Sequence, residues 1–207
     1  MRQALELHAG AADQLGQADA LSELGCVQRL TGDFPDARAS RERALQLYRD
    51  LGDRQGQADS LRYLGRVHQE TGDYETVAAL YTQALELYRS VNDRLGQAHT
   101  LNFLGMAQHV SDDYLDAELT LTDALDLYRD LGYRLGQAET LNNLGEVYAV
   151  SHPDQAGACY KRALQIACSM SAVLEEARAL EGIGNSEIQG RSMYRAALVS
   201  AMRSSCT

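Results

Sequence analysis

Tryptophan is absent from this 207-residue chain, and only two prolines, Pro35 and Pro153, occur. So little proline excludes a disordered linker and an all-β chain broken by frequent turns. Basic residues are the minority: 19 Lys and Arg against 29 Asp and Glu leave a net charge of −10. Nucleic acid and anionic membrane surfaces attract the opposite sign, so neither is an expected partner. No run approaches the ~18 consecutive apolar residues of a membrane span. The opening Met1-Arg2-Gln3-Ala4-Leu5-Glu6 lacks the apolar stretch of a secretion signal. Cysteine is sparse and scattered, at Cys26, Cys159, Cys168 and Cys206, without CxxC spacing. That pattern predicts reduced thiols in a cytoplasmic protein, and no zinc site. What is left is ordinary globular material, 45% apolar and 23% charged.

Its arrangement is not ordinary, because the chain repeats itself. Gly-Gln-Ala recurs at Gly16, Gly56, Gly96 and Gly136, 40 residues apart each time. Seven residues after each Gln stands Leu-Gly, ending at Gly25, Gly65, Gly105 and Gly145, with a variant Ile183-Gly184 one residue early. Ala-Leu-x-Leu-Tyr follows at Ala44–Tyr48, Ala84–Tyr88 and Ala124–Tyr128. It degenerates at Ala163-Leu164-Gln165-Ile166 and at Ala4-Leu5-Glu6-Leu7. Such a period is the signature of a stacked repeat architecture.

Each unit reads as two helices. In the second unit Asp53 predicts an N-cap, and Ala58, Leu61, Leu64 and Val67 share one helical face over about 54–70. Thr71-Gly72-Asp73 predicts the stop, with Gly72 as a left-handed C-cap and Asp73 capping the next helix, over about 74–91. Mid-helix glycine costs roughly 1 kcal/mol against alanine. Its return at Gly25, Gly65, Gly105, Gly145 and Gly184 predicts close approach of a neighbouring helix, with Tyr81, Leu121, Tyr160 and Tyr194 as the large partners. Tyr48, Tyr88 and Tyr128 form a second stripe. Each is followed by an arginine, which admits a base-stacking reading, but Asp50, Glu86, Asp126 and Asp130 lie close by, and packing between repeats is the preferred one.

The Leu-x-x-Leu-Gly start, the Gly-Asp-Tyr turn and the aromatic-x-x-Ala of the second helix resemble tetratricopeptide repeats. The units exceed the usual ~34 residues, and so resemble the long repeats of kinesin light chains and Pins-type adaptors. The Leu-Gly-Asp-Arg-x-Gly-Gln-Ala wording is similar to repeat regions of actinobacterial antibiotic-regulator-type transcriptional regulators. The resemblance implies an all-α, right-handed superhelical solenoid of antiparallel helix pairs. Its expected divisions are a partial repeat at 1–12, repeats at 13–52, 53–92, 93–132 and 133–171, and a shortened fifth at 172–207. Ser151-His152-Pro153 replaces the expected turn in repeat four. A polar capping helix is not evident at either end, which suggests a segment of a longer protein or a truncated relative. It also predicts association of copies that buries Leu5, Leu7, Met193 and Leu198, by stacking end to end or by exchange of a C-terminal helix between chains.

Catalytic constellations are lacking. The five histidines form no HExxH and no i,i+4 pair, the glycines form no phosphate loop, and Cys26 has no base in sequence. Acidic neighbours such as Asp112-Asp113 and Glu175-Glu176 read as solvated surface. No cofactor is implied, and an enzyme is not expected. In tetratricopeptide arrays the first helix of each pair lines a concave groove that holds a peptide or helix of a partner protein. Carried over, this selects Arg62, Arg66, His99, Asn102, Met106, Glu139, Asn142 and Glu146, which change from unit to unit while the frame stays constant. Arg62 and Arg66 suit a carboxylate; the alternative is an internal ladder, Asp59 to Arg62 and Arg66 to Glu70. Asn102 and Asn142 would hold an extended peptide backbone, the alternative being solvated asparagine. A different function reading is a signal-sensing region of a larger transcriptional regulator, without DNA contact of its own.

Overall fold

The structure, a computed structural model, describes residues 13–204, with side chains over 13–188 apart from Glu75. Expectations resting on Leu5, Leu7 and the side chains of Met193, Tyr194 and Leu198 lie outside the described residues. Among the described residues there are nine helices and no strand. They are α1 (Gln14–Leu30), α2 (Phe34–Leu51), α3 (Arg54–Glu70), α4 (Tyr74–Ser90), α5 (Arg94–Val110), α6 (Tyr114–Asp130), α7 (Arg134–Ser151), α8 (Pro153–Met170) and α9 (Val173–Ser204). The chain divides into two compact units, 1–113 with α1 to α5 and 114–207 with α6 to α9. In each unit successive helices pack in antiparallel pairs, the all-α solenoid arrangement expected from the repeat.

The joints explain the repeated words. Asp13, Asp53 and Asp93 each accept the backbone N–H of the glycine three residues on, at 2.9, 3.1 and 2.8 Å, satisfying a donor that the helix start leaves open. In Gly-Gln-Ala the alanine is fully buried. The glutamine amide of Gln57, Gln97 and Gln137 donates to the carbonyl of Tyr48, Tyr88 and Tyr128, at 3.2, 3.4 and 3.1 Å. The glycine lies under the ring of the same tyrosine: a Cβ built on Gly136 would stand 2.6 Å from Tyr128 Cδ1. Within each pair a second contact repeats the idea. A Cβ on Gly65 would meet Tyr81 Cε1 at 2.5 Å, and one on Gly145 would meet Tyr160 Cε1 at 2.5 Å. The mid-helix glycine therefore exchanges helix propensity for a fully seated aromatic ring.

Four details depart from the sequence reading. Asp73 makes no cap bond to α4, because its Oδ2 lies 2.8 Å from His68 Nδ1 instead. Gly184 touches nothing within 4 Å; Gly182 is the close approach, packed against the Tyr160 ring. Glu175 is not solvated surface but 4% exposed, for reasons given below. Finally, α9 runs unbroken for 32 residues where a helix pair was expected. Residues 188–191, Ile-Gln-Gly-Arg, lack the Gly-Asp step that stops α1 and α3.

Candidate partner-binding groove

In the first unit α3 carries Arg62 and Arg66, and α5 carries His99, Asn102 and Met106. Arg62 is tightly engaged on α3. Its Nε donates to the Tyr88 hydroxyl at 3.0 Å and its Nη2 to Asp59 Oδ1 at 3.1 Å, and the guanidinium lies 4.8 Å from the Tyr63 ring centroid. The Tyr88 hydroxyl in turn donates to the same Asp59 oxygen at 2.6 Å. Burial pushes the Arg62 guanidinium down, but Tyr88 and Asp59 outweigh it and the net shift is upward. Arg66 lies 3.9 Å from Glu70 and stands over Phe103 at 4.8 Å; Glu70 also accepts Arg29 Nη1 at 2.6 Å. Burial and the nearby Arg29 lower Arg66. The internal ladder is thus the arrangement that forms, extended by an arginine from α1.

His99 and Met106 are half-buried on α5, while Asn102 is buried there. Burial, and after it the charge of Arg62, holds His99 below the ordinary imidazole range. Towards the start of the unit, Tyr48 repeats the role of Tyr88: its hydroxyl donates to Asp19 at 2.7 Å, with Ser22 Oγ at 3.3 Å. Burial pushes the Tyr48 hydroxyl up to about 12. Asp19 and Ser22 of α1, Asp59 and Arg62 of α3, and Arg41 and Tyr48 of α2 line a cavity of about 500 Å³. Cys26 lines its wall, and Glu23 stands exposed on its edge.

In the second unit Asn142 turns inward, while Glu139 and Glu146 are half-buried. Asn142 is 0% exposed, and its Nδ2 donates to both the carbonyl oxygen (3.1 Å) and Oε2 (2.7 Å) of Glu175. Asn142 therefore joins α7 to α9 and offers no amide to an external chain. Glu146 accepts Arg178 Nη2 at 2.7 Å, and Asn143 Oδ1 accepts the same atom at 2.7 Å. Arg178 Nη1 donates to Glu175 Oε2 at 3.2 Å. Burial lowers Arg178, but the bond to Glu146 and the charges of Glu146 and Glu175 raise it overall. Glu139 remains half-buried on the α7 face. Sequence reasoning missed Glu175; its place three residues before Arg178, on the helix packing against Asn142, was the available signal.

Among the described residues no cluster of His, Cys, Asp and Glu is arranged to hold a metal, and no helix is long and apolar enough to cross a membrane. Tyr48, Tyr88 and Tyr128 are buried, so their faces are closed to bases. The repeat model for tetratricopeptides matches residues 16–90, 58–130 and 96–169. The chain belongs to the tetratricopeptide repeat family. No curated protein matches it significantly. Among solved structures, the array is similar to BtubC (BKLC) from P. vanneervenii, at 20% identity and a TM-score of 0.69, over 95% of this chain and 87% of that one. The apo form of RapI matches at 16% identity and TM-score 0.80, over 94% and 77%. A kinesin light chain from Podosopora anserina with nearly identical TPR-like repeats matches at 13% and 0.64, over 89% and 95%. At these identities the likeness is one of fold.

Proposed function

We propose that this tetratricopeptide array is a protein-interaction module that seats a peptide segment or helix of a partner on the inner face of its first unit. The observation behind this is the contrast between frame and face. Joint residues repeat at every 40th position, whereas the face reads Ser22 then Arg62, and Cys26 then Arg66, and Ser22, Cys26 and Arg62 line an open cavity of about 500 Å³. A repeated frame with a variable lining is what a selective surface on a scaffold fold requires. His99, Asn102 and Met106 continue the proposed face on α5. Glu139 and Glu146 are the candidates in the second unit. Arg62 acts here as a shaper of the wall, and Arg66 lies beyond it against Glu70 and Phe103; both already have partners.

A photo-crosslinking amino acid placed at Glu23, on the edge of the cavity, should trap a discrete partner in the native host. The same group at Arg43, exposed on α2, should not. Equal trapping at both positions, or at neither, would remove the groove from the reading.

A further inference from the structure

Position 41 breaks the repeat. The equivalent places in later repeats hold Tyr81, Leu121 and Tyr160, all buried packing residues, whereas the first repeat has an arginine that is 5% exposed. Its stem crosses Gly25, where a Cβ would come within 2.9 Å of Arg41 Cγ, just as Tyr81 crosses Gly65. Its guanidinium then lies 3.9 Å from the Tyr63 ring centroid and lines the cavity between α1 and α3. The next repeat puts an aromatic pair at this level, Tyr81 stacked on Phe103 at 6.1 Å.

Two guanidiniums therefore stand against one tyrosine ring, and they differ in one respect. Arg62 is neutralised by Asp59 and hydrogen-bonded to Tyr88. Arg41 has no ion-pair partner among the described residues, and its Nε is buried without a hydrogen-bond partner. A buried charge left unpaired is strongly unfavourable, and stability alone would favour the tyrosine or leucine of the other repeats. We propose that Arg41 is a recessed oxyanion site which takes a carboxylate from the partner's chain, with Tyr63 supporting the guanidinium from its face. An arginine fork matches a carboxylate in two-point geometry.

The surroundings narrow the ligand further. Asp19 and Asp59 already accept tyrosine hydroxyls, but Glu23 stands unengaged on the edge, and the chain as a whole carries −10. A polyanion is repelled by such a surface. A segment whose acidic residue is next to a lysine or arginine fits both the inner cation and the acidic edge. This deepens the groove reading and rests on it for the identity of the ligand as part of a partner protein.

The test uses the full chain labelled with ¹⁵N, following the arginine Nε–H signals as a blocked tetrapeptide containing Lys-Asp is added. Its Lys-Asn counterpart and inorganic phosphate are added in parallel at constant ionic strength. The Arg41 signal should shift saturably with Lys-Asp, at least tenfold more weakly with Lys-Asn, and not with phosphate. Arg41→Tyr introduces the residue that the second repeat has as Tyr81, and Arg41→Met is the alternative if that ring does not fit; either should fold and lose the binding. Equal response to both peptides, retained affinity in a folded variant, or a stronger response to phosphate would overturn the assignment. Failure here with crosslinking at Glu23 intact would remove the carboxylate site and leave the groove. Loss of crosslinking with the Arg41 response intact would do the reverse.

Discussion

A tyrosine ring seated on glycine has no room for one more methyl group, and this makes the glycines of the array unequal. At Gly65 alanine gains about 1 kcal/mol of helix propensity, but the added carbon would sit 2.5 Å from a fully buried Tyr81 ring. Overpacking on the order of 1–3 kcal/mol wins. Gly65→Ala should therefore lower the urea midpoint, and Gly65→Leu should lower it further. Gly184 has open space around it, so Gly184→Ala should stabilise by about 1 kcal/mol in the same measurement. The sequence shows both as mid-helix glycines; only the position of Tyr160 against Gly182 separates them. His99 supplies a pH effect. Its folded-state pKa is lowered by burial and by Arg62, so the unfolded chain binds its proton first. The contribution is present above the ordinary value of ~6.5 and is lost as pH falls from there towards the folded pKa. His99→Gln should flatten the stability profile in that window, as read by denaturant titrations at stepped pH.

Helices α1, α3 and α5 begin the same way, with an aspartate accepting an amide hydrogen bond, whereas α7 begins at Tyr133 without a side-chain cap bond. Asp53→Ala should cost about 1 kcal/mol, measurable as a shift in thermal midpoint. This part of the fold was legible in sequence because cap, turn and buried face are local and recur every 40 residues. The bounds of α3 follow directly from Asp53 and Gly72. The site was less legible, because side-chain pairing is decided between helices. Arg62 looks available in sequence and is held by Tyr88, 26 residues away. Asn142 looks like a groove amide and is enclosed by Glu175, 33 residues away. Arg41 stands where later repeats have Tyr81, Leu121 and Tyr160, and its burial against Tyr63, a contact between helices, is what marks it out.

Across the whole molecule, stability is expected to be distributed, since repeat arrays draw it from neighbouring helices. Arg178 is the hub of the second unit, holding Glu146, Asn143 and the buried Glu175. Arg178→Ala leaves Glu175 buried without its cation and should cost about 3 kcal/mol. Hydrogen exchange should quicken through α7, α8 and α9, while α1 to α4 keep their wild-type rates. Uniform quickening throughout the chain would show instead that the array unfolds as a single cooperative body. The joints have a consequence for how such a gene changes. Tyr48, Tyr88 and Tyr128 each pack on a glycine eight residues later, in Gly-Gln-Ala blocks spaced by 40. An in-frame exchange between the block at Gly56 and the block at Gly96 deletes 40 codons and leaves Tyr48 facing a glycine in the same wording. Unequal crossing-over between these two blocks can thus shorten or lengthen the array without spoiling a joint, while Arg41, outside the stretch between them, stays a single copy.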